Sequence, residues 1–173
     1  MERARIEGRA FFFLQQECEL LVESIDYAAK ALNSSRLPGR VEAFMARILV
    51  VDDEKPLAET LATILRMNNY EVQVAHDGVE GYNAAALFAP NLIISDVAMP
   101  NRNGVEMAIE IRRDLPGIQI LLISGQATSV GLLEAARQRG YDFECLAKPI
   151  HPLDLLSKIA TLLARSAAAK QAS

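Results

Sequence analysis

Four short apolar runs, each stopped by a polar or charged residue, constrain this chain more than any other feature. Ile48-Leu49-Val50-Val51 ends at Asp52-Asp53, and Leu92-Ile93-Ile94-Ser95 ends at Asp96. Ile120-Leu121-Leu122-Ile123 ends at Ser124, and the shorter Cys145-Leu146-Ala147 ends at Lys148-Pro149. A strand wetted on one face alternates apolar and polar residues. A continuous short run implies burial on both faces, as in a parallel sheet covered by helices. Open sheets of that kind place their sites just beyond the carboxyl ends of the strands. Three carboxylates, one hydroxyl and one ammonium are therefore expected to converge on one edge of one sheet. That set suits a metal ion and a phosphoryl group carried on an aspartate.

The segments between the runs have helical spacing. Leu57, Leu61, Ile64 and Leu65 follow Pro56, which is tolerated in a first helical turn, and Asn68-Asn69 ends that helix. Val72 and Val74 alternate with polar residues, as a strand near a sheet edge would. Small-residue or amphipathic helices are expected over Val79–Phe88, around Val105–Leu115, over Val130–Gln138 and from Leu153 to Leu163. Strand–helix alternation implies right-handed crossovers on both faces of the sheet. The predicted fold class is α/β: a doubly wound five-stranded parallel sheet of flavodoxin-like order 2-1-3-4-5 with five flanking helices, preceded by an N-terminal helical extension. The domain is expected over residues 46–165, with a frayed tail at 166–173.

Residues 1–45 form a different segment, with a helix expected over 10–32 and then a polar linker. Phe11, Leu14, Cys18, Leu21, Ile25, Ala28 and Leu32 recur in steps of three and four, which fits a pairing helix. The same stripe fits a helix lying on its own domain. That reading, or disorder, is preferred to a dimer, and Met45 is an alternative start. The protein is expected to be a monomer or a weak homodimer.

Composition narrows the function classes. The 173 residues are 51 % hydrophobic, enough for one domain with a real core. The net charge of -4 gives no bulk attraction to nucleic acid. Cys18 and Cys145 are too few and too far apart for a disulfide framework or a zinc site. No stretch is long enough to cross a bilayer, so a cytoplasmic protein with neither a nucleic-acid nor a membrane partner is expected. His76 and His151 lack metal-ligand spacing and read as loop or helix-start residues.

Together, Asp52-Asp53-Glu54, Asp96 followed by Met99-Pro100, Ser124-Gly125 and Lys148-Pro149 resemble the receiver domain of two-component response regulators. The resemblance runs from about Ala46 to Ala164. It implies that Asp96 is the phosphoacceptor, that Asp53 binds Mg²⁺ directly and that Asp52 assists, often through water. It further implies that the backbone carbonyl of Ala98 is a metal ligand and that Asp96 shares the ion. Ser124 would hydrogen-bond the phosphoryl oxygen, Lys148 would pair with it, and the Lys148-Pro149 bond would be cis. The implied partners are a sensor histidine kinase or phosphotransfer protein upstream and an effector protein downstream. The helix before the last strand, that strand and the last helix would form the usual partner face. Such a domain is a signalling switch and not an enzyme acting on an outside substrate.

The chemistry is self-consistent. Two unit charges 4 Å apart cost about 4 kcal/mol at an effective dielectric of 20. Clustered carboxylates therefore take up a proton or gather a cation. Oxygen ligands beside a phosphate suit Mg²⁺.

Three alternatives are weaker. A receiver-shaped adaptor working without phosphorylation would not need these acids, Ser124 and Lys148. A phosphatase of the haloacid dehalogenase type needs an acid two residues after the nucleophile, where Ala98 stands. A flavodoxin needs a phosphate-cradling loop after the first strand, where Asp52-Asp53-Glu54 would repel phosphate. The pattern departs from the family at Cys145, three residues before Lys148, where Tyr or Phe is common. The Gly140–Lys148 spacing is also one residue long, so a bulge or a loop change is expected there.

Overall fold

The structure, a computed structural model, describes residues 45–125 and 128–171. The chain divides into two units, residues 1–43 and 44–173, and the fold is that of the second. The helix expected over 10–32 lies outside the described residues.

Five strands alternate with five helices. In chain order these are β1 (Arg47–Val51), α1 (Lys55–Met67), β2 (Glu71–Ala75), α2 (Gly78–Phe88), β3 (Leu92–Asp96), α3 (Gly104–Asp114), β4 (Gln119–Ser124), α4 (Thr128–Gln138), β5 (Glu144–Ala147) and α5 (Pro152–Gln171). All pairings are parallel and the strand order is β2-β1-β3-β4-β5. The topology is the doubly wound one that the apolar runs require.

Strand alternation sorts the runs into two cores. Leu49, Val51, Ile93, Ile120 and Leu122 face one side, against Ala84 and Ala85 of α2, Met107 and Ile111 of α3, and Ala136 of α4. Ile48, Val50, Leu92, Ile94, Leu121 and Ile123 face the other, against Ala58, Leu61 and Leu65 of α1 and Leu155, Ile159 and Leu162 of α5. Burying each Val, Leu, Ile or Met among them is worth about 1.5–3 kcal/mol. A one-residue slip would exchange the two sets, so the register is firmly specified.

Helix starts follow local chemistry. The Asp77 carboxylate accepts from the Val79 and Glu80 amides at 2.7 and 2.8 Å, capping α2. The Asn103 side chain accepts from the Glu106 amide at 2.9 Å and caps α3. Helix α4 is held differently. From Val130 to Gln138 only Ala136 is buried and Leu133 half-buried, while Val130 is 66 % exposed.

Two expectations need correction or completion. Helix α5 does not fray at 166 but continues to Gln171. The Ser166-Ala167-Ala168-Ala169 stretch has high helix propensity, and Ser166 is buried. The long Gly140–Lys148 spacing produces no bulge in β5. Glu144–Ala147 pair in unbroken register with Leu121–Ser124. The extra length lies in the connector, where Gly140 adopts φ +85° and Tyr141 donates its amide to the Ala136 carbonyl at 3.0 Å.

Candidate acidic site at the carboxyl edge of the sheet

Strand order brings the polar closers together. β1 and β3 are neighbours, so Asp52 and Asp96 both emerge at the point where the strand order reverses. One carboxylate oxygen from each of Asp52, Asp53 and Asp96 lies within 4.8 Å of the other two. Asp52 and Asp96 are buried and Asp53 is exposed, which leaves the cluster open on one side.

Lys148 supplies the counter-charge from the end of β5. Its Nζ lies 3.3 Å from Asp96 Oδ1 and 3.6 Å from Asp52 Oδ2. The Lys148 amide donates to the Ser124 carbonyl at 2.7 Å, which ties the ends of β4 and β5 together. The Lys148-Pro149 bond is cis. Ser124, half-buried, follows Ile123, the β4 residue in register with Asp96. Ala98 is exposed, two residues past Asp96.

One ammonium does not neutralise three carboxylates. Asp52 shows the consequence most clearly. Its Oδ1 accepts from the Glu54 amide at 2.9 Å, but its buried Oδ2 has no hydrogen-bond partner among the described residues. Burial pushes its pKa from 3.8 up to about 6, against the lowering effects of the Glu54 amide and Lys148. A buried carboxylate oxygen without a donor, beside two further carboxylates, fits an oxygen-liganded divalent cation.

Other residues hold this edge in place without having been foreseen as part of it. The Ser95 hydroxyl, fully buried, donates to the Asp96 carbonyl at 2.9 Å. Gly104 packs so closely that a Cβ there would collide with the Asp96 carbonyl oxygen. His76 lies in the loop after β2, as its sequence context implies, and its Nδ1 is 3.3 Å from the Asp52 carbonyl oxygen. The available signal was register: Ala75 pairs with Val51, so the residues after each are neighbours.

A doubly wound domain with an acidic cluster at its switch point, answered by one lysine, defines the class. The family model for the response regulator receiver domain matches residues 48–160, and the chain belongs to that family. It is a receiver domain of a two-component system, whose common property is signalling through a phosphoacceptor aspartate. Response regulator MprA of Mycobacterium avium (strain 104) is 36 % identical over 120 residues, covering 69 % of this chain and 52 % of that protein. The chain thus spans about half the length of the curated relatives it matches. A receiver domain protein from Clostridium thermocellum superposes with a TM-score of 0.64 at 27 % identity, over 70 % of this chain and 96 % of that one. Chemotaxis response regulator CheY4 of Vibrio cholerae gives 0.60 at 28 % identity, over 68 % and 98 %.

Proposed function

We propose that Asp96 accepts a phosphoryl group in a Mg²⁺-dependent reaction, from a phosphohistidine on a sensor kinase or phosphotransfer protein. A carboxylate oxygen of Asp96 attacks phosphorus, the P–N bond breaks, and the departing imidazole nitrogen takes its proton from solvent. Lys148, already 3.3 Å from Asp96, offsets charge on the transferred oxygens. The Ser124 hydroxyl is the donor for a phosphoryl oxygen. Asp52, Asp53, Asp96 and the Ala98 carbonyl would hold Mg²⁺, which supplies positive charge for the phosphoryl group. The observation that carries this reading is the buried Asp52 Oδ2, without a hydrogen-bond donor among the described residues, beside Asp53, Asp96 and Lys148.

The signal would pass to an effector protein in the cytoplasm. Movement of Ser124 biases α4, in which only Ala136 is buried and Leu133 half-buried between Val130 and Gln138. Val130, Leu132 and Leu153 leave apolar surface exposed on α4 and α5, the helices before and after β5 in the chain. A domain of this kind acts on no outside substrate.

Intact-mass spectrometry after acetyl phosphate treatment tests the reading. A gain of one phosphoryl group is expected with Mg²⁺, absent in EDTA and absent in Asp96→Asn. No gain from acetyl phosphate or from a phosphorylated kinase, together with no detectable Mg²⁺ binding, would overturn it.

A further inference from the structure

The opposite end of the sheet carries a second concavity. Gln119 and Glu144, the first residues of β4 and β5, lie on its wall, so it sits at the amino edge of the strands, away from Asp96. Its volume of about 390 Å³ falls in the range of small-molecule sites. Three arginines line it, each from a different helix: Arg112 of α3, Arg137 of α4 and Arg165 of α5. Only two carboxylates, Asp142 and Glu144, share the wall. The lining is net positive in a chain whose net charge is -4.

How each arginine is held decides what the cleft can do. Arg112 has no carboxylate within ion-pair distance among the described residues. Its guanidinium carbon sits 5.4 Å from the centre of the Phe143 ring. That ring is itself buried and stacked on Tyr141, with centroids 6.3 Å apart and planes 7° from parallel. A ring orients the guanidinium without consuming its hydrogen-bond donors.

Arg137 pairs with Asp142 at 3.0 Å, and the Asp142 side chain is 81 % exposed. Such a pair contributes little, and breaking it leaves a fully solvated carboxylate. Arg165 reaches Glu144 at 3.0 Å, but Lys158 holds the same carboxylate at 2.7 Å. Releasing Arg165 therefore leaves Glu144 still paired. Among the described residues one arginine is oriented without a carboxylate partner, and two can turn to a new acceptor at small cost.

We propose that this cleft binds a soluble phosphate ester or diphosphate of about mononucleotide size, through Arg112, Arg137 and Arg165. Planar guanidinium forks match phosphate oxygens bidentately. The volume exceeds what inorganic phosphate needs, and Phe143 adds an apolar wall.

Isothermal titration calorimetry on the full chain in EDTA, with ADP and with pyrophosphate as probes, tests this. EDTA keeps phosphate out of the acidic site, which repels anions without a cation. Saturable binding of at least one probe is expected, weakened roughly tenfold or more by Arg112→Gln and by Arg165→Gln, since each removes a charge-assisted contact. Arg66→Gln, on α1, is expected to leave binding unchanged. Arg112, Arg165 and Arg66 are all exposed, so these variants fold and the comparison is fair. Absence of saturable binding to the wild type would overturn the proposal, as would equal losses in Arg66→Gln. Flotation with phosphatidylcholine vesicles containing phosphatidic acid, without binding of either soluble probe, would also overturn it.

Discussion

The price of Asp52 is measurable as a stability that depends on pH. Burial raises its pKa from 3.8 to about 6, so the fold prefers the neutral carboxyl. A group whose folded pKa lies above its unfolded value contributes stability fully below the unfolded value. That contribution is lost as pH rises through the folded value. Moving the pKa from 3.8 to about 6 corresponds to about 3 kcal/mol at 1.36 kcal/mol per pH unit. Asp52→Asn removes the charge and keeps a side-chain oxygen to accept from the Glu54 amide, whose bond to Oδ1 is 2.9 Å. In EDTA the variant should match the wild type to within about 1 kcal/mol near pH 4. It should become more stable through pH 4 to 6 and lead by about 2–3 kcal/mol at pH 8. Urea denaturation at a series of pH values gives the difference directly, because other titrating groups cancel between the two proteins. Added Mg²⁺ should shrink the lead, since a ligand that binds the folded wild type more tightly stabilises it more. A difference independent of pH, or a variant less stable at pH 8, would refute the assignment of the strain to the Asp52 charge.

Four further substitutions have defined outcomes. Lys148→Gln should slow labelling of Asp96 by acetyl phosphate at least tenfold, yet tighten Mg²⁺ binding, because one cation near Asp52 and Asp96 is gone; rates by mass spectrometry and Mg²⁺ titration by fluorescence read the two opposite signs. Gly104→Ala should destabilise the fold by about 3 kcal/mol or more in urea, since its Cβ would collide with the backbone oxygen of Asp96. Gly117→Ala, with nothing within 4 Å of the new carbon, should stay within about 0.5 kcal/mol of the wild type. Asp77→Ala should lose about 1 kcal/mol by the same measurement, because the carboxylate caps two amides of α2.

The parts of this molecule legible in its sequence are those that local pattern encodes. β1, β3 and β4 are buried on both faces, so each announces itself as an unbroken apolar run. β2 lies at an edge and shows as Val72 and Val74 between polar residues. The acidic cluster was legible because strand ends and strand order together dictate where side chains converge. What stayed hidden depends on neighbours distant in sequence. His76 comes to Asp52 only through the β1–β2 register, and the Gly104 contact with Asp96 depends on how the intervening loop folds back. The arginine cleft draws on three helices with no shared motif. The end of α5 was misjudged because a small-residue tail looks frayed by composition, while its alanines favour the helix that the preceding turns already nucleated.

The sparse anchoring of α4 has a consequence on the scale of time. A segment opens locally with a free energy set by the apolar contacts it gives up. For α4 beyond Val130 that is Ala136 and half of Leu133, whereas α3 would have to release Met107 and Ile111. Amide hydrogen exchange should therefore be fast in α4 and slow in β1, β3 and β4, within one domain. A loosely held helix beside a rigid sheet is one that can turn, shift or melt without unfolding the rest.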